Sequence, residues 1–345
     1  MKGVILAGGK GSRLVPITNS TPKPMISLLN RPFLEYLLAH LHSHGFDEIF
    51  LTMFHLSDSI VDYFGAAPQG KVSLTYAIES SPLGTAGGVK ALEDNLKNTF
   101  VVCNGDIYTD LDLTEVLNFH WQKKAIATIV LTRVDDPSAY GMVETDRDGK
   151  ILRFVEKPSP DQITTNWVNA GTYILEPEAL RYAPDSVSLM FERDLFPTLL
   201  ENQKPVYSYR SDAYWIDVGS PKNYKKLHDD ILLGYAPDNF KNAPVSNGLT
   251  KGTECKFGGN FRSFGPVLVG NGCVIGENVE LNGPLVIGDN CKLGAGVSIS
   301  HSILLDGVSI GDGSKVTECV LGSRSCLREG SQISDGTIIP EDTVY

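Results

Sequence analysis

A six-residue repeat in the last third of the chain constrains its fold more than any other sequence feature. Aliphatic residues recur at every sixth position without a gap, at Val269, Ile275, Leu281, Ile287, Leu293, Ile299 and Leu305. After a slip of one residue the spacing resumes at Ile310 and Val316, and then again at Leu321, Leu327 and Ile333. Because six is even and strand side chains alternate between two faces, a strand keeps all these side chains on one inward face. Helix periodicity does not generate a strict repeat of six.

Small or turn-forming residues follow the aliphatic positions, at Gly270, Gly276, Asn282, Gly288, Gly294, Ser300 and Asp306. Residues of this kind tolerate the backbone of a tight corner. The pattern resembles the hexapeptide repeat of left-handed parallel β-helices, in which three hexads form one coil. A glycine-rich β-sandwich is the alternative, which we disfavour because sandwiches lack a fixed short period. We therefore expect a left-handed parallel β-helix over residues 251–345.

Three cysteines of the repeat, Cys255, Cys273 and Cys291, are separated by 18 residues at each step. A coil of 18 residues would stack them on neighbouring rungs about 4.8 Å apart, within reach of a disulfide. Free thiols that fill a narrow apolar layer are the favoured interpretation. The absence of a Cys-x-x-Cys pair gives no support to a structural zinc site.

A change in composition predicts a domain boundary. Half of the 34 glycines and five of the six cysteines lie in residues 251–345. Residues 235–250 contain Pro, Gly and Asn and form the predicted linker. A chain of 345 residues is long enough for two domains, so we expect a first domain over residues 1–234 and a β-helix domain over residues 251–345.

Residues 1–234 alternate short apolar runs with helical patterns. Strands are predicted at 3–7, 48–53, 72–78, 100–103 and 125–134, and helices at 32–44, 57–64, 86–96 and 113–123. Further strands at 142–144, 151–156, 172–175 and 206–209 extend the same sheet, and a helix at 221–233 closes the domain. This alternation predicts an α/β fold with a Rossmann-like, mostly parallel sheet. Such sheets bind ligands at the carboxyl ends of their strands.

The formal net charge of −11 argues against a nucleic-acid or anionic-membrane partner, since either requires a clustered basic face. No segment reaches membrane-spanning length, and the first apolar run is too short for a signal peptide. The sequence predicts a cytoplasmic protein.

A glycine-rich turn follows the first predicted strand, with the sequence Leu6-Ala7-Gly8-Gly9-Lys10-Gly11-Ser12-Arg13-Leu14. Phosphates can approach a backbone without side chains closely, and its N–H groups then bind the anion. Arg13 and Lys23 add cations suited to phosphate oxygens. The turn is neither the dinucleotide fingerprint nor a P-loop. Taken alone, it could also be a tight strand-to-helix turn.

The glycine-rich turn resembles the signature of the sugar-nucleotidyltransferases, and five later stretches resemble that family's motifs in the same order. These stretches are residues 79–87, 104–106, 140–143, 155–158 with 169–171, and 215–219. Residues 82–87 and 215–219 are most similar to the mannose-1-phosphate guanylyltransferase branch. The C-terminal repeat also fits, because several branches of the family carry one.

The resemblance implies that a sugar-1-phosphate oxygen attacks the α-phosphorus of a nucleoside triphosphate and expels pyrophosphate. The nucleophile is already ionised, so catalysis rests on alignment and on neutralising negative charge. GTP and mannose-1-phosphate, giving GDP-mannose, are the favoured substrates. Alternatives are a glucose-1-phosphate uridylyl-, thymidylyl- or adenylyltransferase, a catalytically silent regulatory subunit that senses nucleotide-sugar, and a bifunctional enzyme with acyl transfer at His301.

The resemblance also assigns roles to residues. Asp106 and Asp217 would bind one Mg²⁺, Arg13 the β- and γ-phosphates, Lys23 the α-phosphate and Lys157 the phosphate of the sugar. The nucleotide would further contact Leu6, Ala7, Gly8, Gly9, Gly11, Ser12, Glu79, Gly84 and Thr85. The sugar would contact Gly141, Glu156, Asn169 and Gly171.

Other polar residues receive structural interpretations. Asp110 and Asp112 are expected at the start of a helix. His40, His42 and His44 alternate within a helix, and we expect that they share no face and bind no metal. Unpaired strand edges at the terminal coils of the β-helix favour a homo-oligomer.

Overall fold

The computed structural model describes residues 1–9, 11–54, 56–65, 72–183, 188–241 and 248–345. The chain forms two compact units. Unit 1 comprises Met1–Lys10 and Leu37–Ile216, and unit 2 comprises Gly11–Tyr36 and Asp217–Tyr345. Within the predicted linker, residues 242–247 lie outside the described residues. No helix in the described part of the chain is long and apolar enough to cross a bilayer.

Unit 1 is built on one nine-stranded sheet. Seven strands follow the order Ile151–Glu156, Gly141–Thr145, Trp167–Leu175, Phe100–Asn104, Lys2–Leu6, Glu48–Met53 and Ser73–Ile78. The last four are parallel to one another, whereas Trp167–Leu175 runs antiparallel to Phe100–Asn104. Ala127–Arg133 pairs antiparallel with Trp167–Leu175 and parallel with Val206–Arg210. The predicted α/β fold with a mostly parallel sheet is confirmed.

In the part of the chain that the structure describes, the α-helices are Phe33–Ser43, Ser57–Phe64, Gly84–Lys90, Leu113–Lys123, Phe196–Glu201 and Pro221–Leu232. Short 3₁₀ helices are formed by Ser12–Leu14, Lys23–Met25, Pro137–Ala139, Pro160–Gln162 and Pro177–Tyr182, and Phe191–Leu195 is a π-helical segment. The helix predicted at 86–96 is shorter than expected, because turns replace it after Lys90. The core of unit 1 lies between the sheet and its helices, with Val4, Phe50, Phe100, Tyr173 and Phe196 almost fully buried.

Of the two aspartates predicted at the start of a helix, one needs correction. Asp112 caps the helix Leu113–Lys123 as expected, accepting the N–H groups of Thr114 and Glu115. Asp110 has a different function, because its Oδ1 accepts the backbone N–H of Tyr214 at 2.7 Å.

The expectation that His40, His42 and His44 share no face was wrong for one pair. His40 and His44 are four residues apart, which in a helix places both side chains on the same side. Their ring centroids are 5.1 Å apart. Burial, followed by the neighbouring His44, lowers the pKa of His40 to about 4.

The C-terminal part of unit 2 is a parallel β-helix with three faces. Face 1 consists of Leu249–Lys251, Val267–Val269, Leu285–Ile287, Ile303–Leu304, Val320–Leu321 and Ile338–Ile339. Face 2 consists of Lys256–Phe257, Val274–Ile275, Lys292–Leu293, Ser309–Ile310 and Cys326–Leu327. Face 3 consists of Arg262–Phe264, Glu280–Asn282, Ser298–Ser300, Lys315–Thr317 and Gln332–Ile333. The predicted β-helix is confirmed.

The inward positions follow the predicted repeat with one correction. Val269, Ile275, Leu281, Ile287, Leu293 and Ile299 are buried as expected. The next inward residue is Leu304, which pairs with Ile287 and is fully buried, whereas Leu305 is only partly buried. The coil after Ile287 is one residue shorter, so the slip precedes Leu304. Leu305 therefore takes the corner position of Gly288.

The stacked cysteines are free thiols. The Sγ atoms of Cys255, Cys273 and Cys291 each lie 3.0–3.2 Å from a carbonyl oxygen of the next coil, namely those of Gly270, Gly288 and Leu305. The thiols can therefore donate weak hydrogen bonds between rungs, and the prediction of a narrow layer of unpaired cysteines is confirmed.

The N-terminal part of unit 2 contains a short hairpin, in which Ser27–Leu28 pairs antiparallel with Arg31–Pro32. The helix Pro221–Leu232 begins at Ser220, whose hydroxyl accepts the N–H of Asn223. Pro221 is at the first helical position, where its missing N–H leaves no hydrogen bond unmade.

Candidate functional site

The first strand and the Asn104-Gly105-Asp106 turn meet at the carboxyl end of the unit 1 sheet. The N–H of Gly105 donates to the carbonyl of Leu6 at 3.0 Å. A Cβ on residue 105 would lie 2.6 Å from that carbonyl oxygen, so only glycine allows this approach. Asp106 consequently lies, partly buried, at the edge where ligands of parallel sheets bind.

The side chains of Glu79 and Thr85 shape the loop between them. Glu79 Oε2 accepts the N–H of Leu83 at 2.9 Å, and the Thr85 hydroxyl accepts the N–H of Phe191 at 3.1 Å. Gly84 has a φ of 77°, and a Cβ there would lie 2.3 Å from the carbonyl oxygen of Leu189. The loop from Glu79 to Thr85 is thus held by its own side chains and by the segment after residue 187.

Asn169 and Gly171 belong to a hydrogen-bonded cluster. The Asn169 amide donates to the Tyr173 hydroxyl at 2.8 Å and to Glu192 Oε1 at 3.1 Å, and its oxygen accepts the N–H of Gly171 at 2.9 Å. The Tyr173 hydroxyl donates to the same Glu192 oxygen at 2.9 Å. Gly171 has a φ of 74°, and the amide of Asn104 lies where a Cβ would be. The cluster fixes the orientation of Asn169.

Glu192 is a candidate site residue that the sequence analysis missed. Burial raises the pKa of its carboxyl group, and the adjacent backbone and Tyr173 lower it to a smaller extent. The only sequence signal was weak, namely an acid that directly follows the apolar run Leu189-Met190-Phe191. Buried or partly buried acids of this kind are enriched at functional sites.

Glu156 and Lys157 lie beside Gly141. Glu156 pairs with Gly141 across two antiparallel strands, and a Cβ on residue 141 would lie 3.0 Å from Glu156 Oε2. Lys157 has a φ of 49°, and its N–H donates to the carbonyl of Tyr140 at 3.0 Å. Both charged side chains are exposed, which leaves them accessible to a ligand.

An aromatic pair borders this region. The indole N–H of Trp215 donates to the carbonyl of Ala170 at 2.9 Å, and its ring meets that of Tyr140 edge to face with centroids 5.6 Å apart. Trp215 is thereby fixed next to the strand that carries Asn169.

Unit 2 brings Arg13, Lys23 and Asp217 together. Lys23 Nζ lies 3.9 Å from Asp217 Oδ1, and Arg13 Nη2 lies 3.8 Å from Asp217 Oδ2. The side chains of Lys23 and Asp217 are only 10% and 15% exposed, whereas that of Arg13 is 69% exposed. Two cations and one carboxylate thus face one another at distances longer than a hydrogen bond.

Two glycines make this arrangement possible. A Cβ on Gly219 would lie 2.7 Å from Asp217 Oδ1 and 2.8 Å from Arg13 Nη2. Gly11 adopts a φ of 63°, which favours glycine, and its carbonyl accepts the hydroxyl of Thr18 at 2.9 Å. Ser12 begins the short helical turn that carries Arg13 and is exposed.

The carboxylates of Asp106, in unit 1, and Asp217, in unit 2, are each of the donor type that suits a divalent cation. Asp217 and Asp106 each offer a carboxylate, the ligand that Mg²⁺ prefers, and Mg²⁺ at phosphate sites is commonly held by one or two carboxylates and substrate oxygens. No group of three or more His, Cys, Asp or Glu side chains that could hold a metal occurs among the described residues.

The predicted site residues are divided between the two units. Unit 1 contains Leu6, Ala7, Gly8, Gly9, Glu79, Gly84, Thr85, Asp106, Gly141, Glu156, Lys157, Asn169 and Gly171, and unit 2 contains Gly11, Ser12, Arg13, Lys23 and Asp217.

Two family models match the chain. A model described as Nucleotidyl transferase matches residues 2–233, and a model of the left-handed β-helix (LbH) domain of EIF2B subunit epsilon matches residues 246–344.

Known proteins resemble the chain over the same region. A UTP–glucose-1-phosphate uridylyltransferase of Synechocystis sp. is 39% identical over 246 residues, covering 67% of this chain and 63% of the relative. A mannose-1-phosphate guanylyltransferase of Mycobacterium tuberculosis is 34% identical over 269 residues, covering 77% of this chain and 73% of the relative. The crystal structure of HddC from Yersinia pseudotuberculosis aligns with a TM-score of 0.58 at 32% identity, covering 66% of this chain and 97% of HddC.

The match to the first of these relatives thus spans less than two thirds of that relative's length. The nucleotidyl transferase model, by contrast, covers well over half of this chain, and the fold and the order of the motifs agree with it. The chain belongs to the nucleotidyl transferase family.

Proposed function

We propose that the chain transfers a nucleotidyl group from a nucleoside triphosphate to a sugar-1-phosphate and releases pyrophosphate. The observation that carries the proposal is the meeting of Lys23, Arg13 and Asp217 within 4 Å. A triphosphate needs cations to neutralise it, and a carboxylate beside them suits a metal-bound phosphate. Family membership and the resemblance to two sugar-1-phosphate nucleotidyltransferases support the same reaction.

The phosphate roles are those that the family resemblance implies, and the charge and burial of the residues are compatible with them. Lys23, nearly buried, is assigned to the α-phosphate, whose position must be fixed most strictly for in-line attack. Arg13, which is exposed, is assigned to the departing β- and γ-phosphates. Asp106 and Asp217 are the proposed ligands of Mg²⁺. When bound, the ion would neutralise charge on the triphosphate.

The sugar roles are assigned to the cluster in unit 1. Glu156 and Asn169 are proposed to hydrogen-bond sugar hydroxyls, and Lys157 to bind the sugar phosphate. Gly141 and Gly171 would let backbone groups approach the sugar, and the hydrogen bonds of Asn169 to Tyr173 and Glu192 support a fixed orientation. The base and ribose are assigned to Leu6, Ala7, Gly8, Gly9, Gly11, Ser12, Glu79, Gly84 and Thr85.

GTP and mannose-1-phosphate are the proposed substrates, with GDP-mannose as product. The guanylyltransferase of M. tuberculosis aligns over 77% of this chain, the longer of the two alignments. The alternative is UTP with glucose-1-phosphate, which the 39% identity to the Synechocystis uridylyltransferase favours. Few hydrogen bonds decide such a choice.

A matrix of GTP, UTP, dTTP, ATP and CTP against mannose- and glucose-1-phosphate tests the proposal by pyrophosphate release. The proposal expects the highest kcat/KM for GTP with mannose-1-phosphate. Highest activity with UTP and glucose-1-phosphate would support the alternative. Nucleotide-sugar binding without turnover would identify a silent subunit instead, although Arg13, Lys23 and both aspartates are present.

The domain organisation and the assembly are also proposals. We assign residues 1–234 to nucleotidyl transfer, 235–250 to a linker and 251–345 to the β-helix, supported by the matched ranges 2–233 and 246–344. A homo-oligomer that uses the β-helix domain is tested by the solution mass of the full chain.

A further inference from the structure

The outward side chains of the β-helix differ in character between its faces. On face 1 the outward row is aliphatic, and Leu268, Val286, Ile303 and Val320 are at most 6% exposed. The outward rows of faces 2 and 3 are mainly polar, for example Lys256, Lys292, Ser309, Arg262, Glu280, Ser298 and Lys315. An aliphatic outward row that is buried indicates that other residues cover this face.

Two segments of unit 2 contact face 1. The helix Pro221–Leu232 packs against the strand Leu285–Ile287. The amide of Asn30, at the turn of the short hairpin, donates to the carbonyl of Ile287 at 2.9 Å. The hairpin that follows Lys23 is thus bound directly to the backbone of the β-helix.

The same helix holds the first strand of the hairpin. The Tyr224 hydroxyl donates to the carbonyl of Ser27 at 2.5 Å, and His228 Nε2 lies 3.2 Å from the same oxygen. Burial lowers the pKa of His228 to about 3, so its ring is neutral and can donate through Nε2. Two buried donors therefore converge on one backbone oxygen four residues after Lys23.

The beginning of the helix is connected to the candidate metal ligand. The amide of Asn223 donates to the backbone carbonyl of Asp217 at 2.8 Å. One helix thereby contacts the backbone of Asp217 through Asn223 and that of Ser27 through Tyr224 and His228. Lys23 and Asp217, which face each other, are supported by the same element.

We propose that the β-helix is a positioning element of the nucleotide site, which holds the segment carrying Arg13 and Lys23 through Asn30 and the helix Pro221–Leu232. The inference rests on the proposed nucleotidyl transfer. It assigns Asn30, Tyr224 and His228 as positioning residues that act through Ser27 and Lys23 and touch no substrate. If the segment that carries Arg13 and Lys23 were held less firmly, the chain would bind the triphosphate less tightly. Its affinity for the sugar phosphate would not change.

The first test is Asn30→Gly in the full chain. Asn30 has a φ of 62°, which glycine adopts freely, so the substitution removes the amide without backbone strain. The matched control is Asn278→Gly, which has a φ of 55° and loses a hydrogen bond to Asn260 within the β-helix. We expect Asn30→Gly to raise the KM for the nucleoside triphosphate about tenfold, with the KM for sugar-1-phosphate within about twofold of the control. Equal KM values for the nucleotide in both variants would overturn the inference.

The second test does not depend on activity. Tyr224→Phe removes one donor to Ser27, and Tyr235→Phe, at an exposed tyrosine, is its control. Amide hydrogen exchange of residues 11–31 in the unliganded full chain should become at least about tenfold faster in Tyr224→Phe only. Unchanged exchange in Tyr224→Phe would overturn the inference, whether or not the wild-type chain releases pyrophosphate. Faster exchange in Tyr224→Phe, together with a wild type that releases no pyrophosphate, would contradict only the proposed function.

Discussion

Lys23 Nζ faces Asp217 Oδ1 at 3.9 Å, with both side chains almost buried, although the two residues are far apart in the sequence. The two side chains thus form a long ion pair within unit 2, next to the exposed guanidinium of Arg13. In the proposed function this pair forms part of the phosphate site.

Lys23→Ala should lower kcat/KM for nucleotidyl transfer about 100-fold, because a fixed cation stabilises charge that develops in the transition state. Initial rates of pyrophosphate release measure the effect. The control is Lys97→Ala, an exposed lysine paired with Asp94, which should keep wild-type kinetics. Similar rates for the two variants would remove Lys23 from the site.

Gly219→Ala should separate Arg13 from Asp217, because the added methyl group would lie within 3 Å of both side chains. We expect a loss of at least about tenfold in kcat/KM and a higher Mg²⁺ concentration for half-maximal rate. Gly259→Ala is the matched control, since no atom lies within 4 Å of its added Cβ. A Gly219→Ala variant as active as Gly259→Ala would contradict the close packing of this site.

Glu192→Leu should raise the KM for sugar-1-phosphate, because Asn169 and Tyr173 would lose their shared acceptor. Leaving such donors without partners should also lower the free energy of unfolding by about 1–3 kcal/mol. Urea denaturation and substrate titration measure the two effects, with the exposed Glu201→Leu as control. If the KM for the nucleotide rose instead, Glu192 would not belong to the sugar cluster.

Leu304→Ala should lower the free energy of unfolding by about 2–5 kcal/mol, since a fully buried leucine leaves a cavity. Leu305→Ala, at the neighbouring corner, should cost less than about 1 kcal/mol. Urea denaturation of the two variants compares them directly. The reverse order would mean that the strict repeat of six continues through Leu305.

The buried His228 predicts a loss of stability in acid. Its pKa in the folded chain is lowered to about 3, below the ordinary value, so the unfolded chain binds the proton first as the pH falls through 6.5. The contribution of the neutral ring to the free energy of unfolding is therefore present above pH 6.5 and is lost as the pH falls below it. At pH 5 the loss amounts to roughly 2 kcal/mol relative to pH 7.5.

The comparison of wild type with His228→Gln isolates this effect, because glutamine is neutral at every pH. Lowering the pH from 7.5 to 5 should reduce the free energy of unfolding of the wild type by roughly 2 kcal/mol more than that of His228→Gln. A difference that does not change with pH would show that His228 is not buried as a neutral ring.

The sequence predicted those parts of the fold that local patterns determine. The period of six identified the β-helix, because strand alternation places residues spaced by six on the same, inward side of the backbone. The pattern did not locate the slip, since Leu304 and Leu305 are both aliphatic and only the pairing of strands distinguishes them. The shared face of His40 and His44 was available from helical spacing and was overlooked.

The candidate site was only partly readable from the sequence. Motifs identified Arg13, Lys23 and Asp217, and the structure brings these three together. Glu192 was missed because its importance arises from hydrogen bonds to Asn169 and Tyr173 that form only in the folded chain. The aliphatic outward row of face 1 was visible in the sequence, but its meaning became clear only from the helix and hairpin that contact this face.

The most direct measurement of the central claim is pyrophosphate release by wild type, Asp106→Asn and Asp217→Asn with GTP, mannose-1-phosphate and Mg²⁺. We expect release by the wild type, its loss in EDTA, and rates reduced at least about 100-fold in both variants with unchanged unfolding midpoints. Near-wild-type turnover in either variant, or release by the wild type that EDTA does not affect, would contradict it.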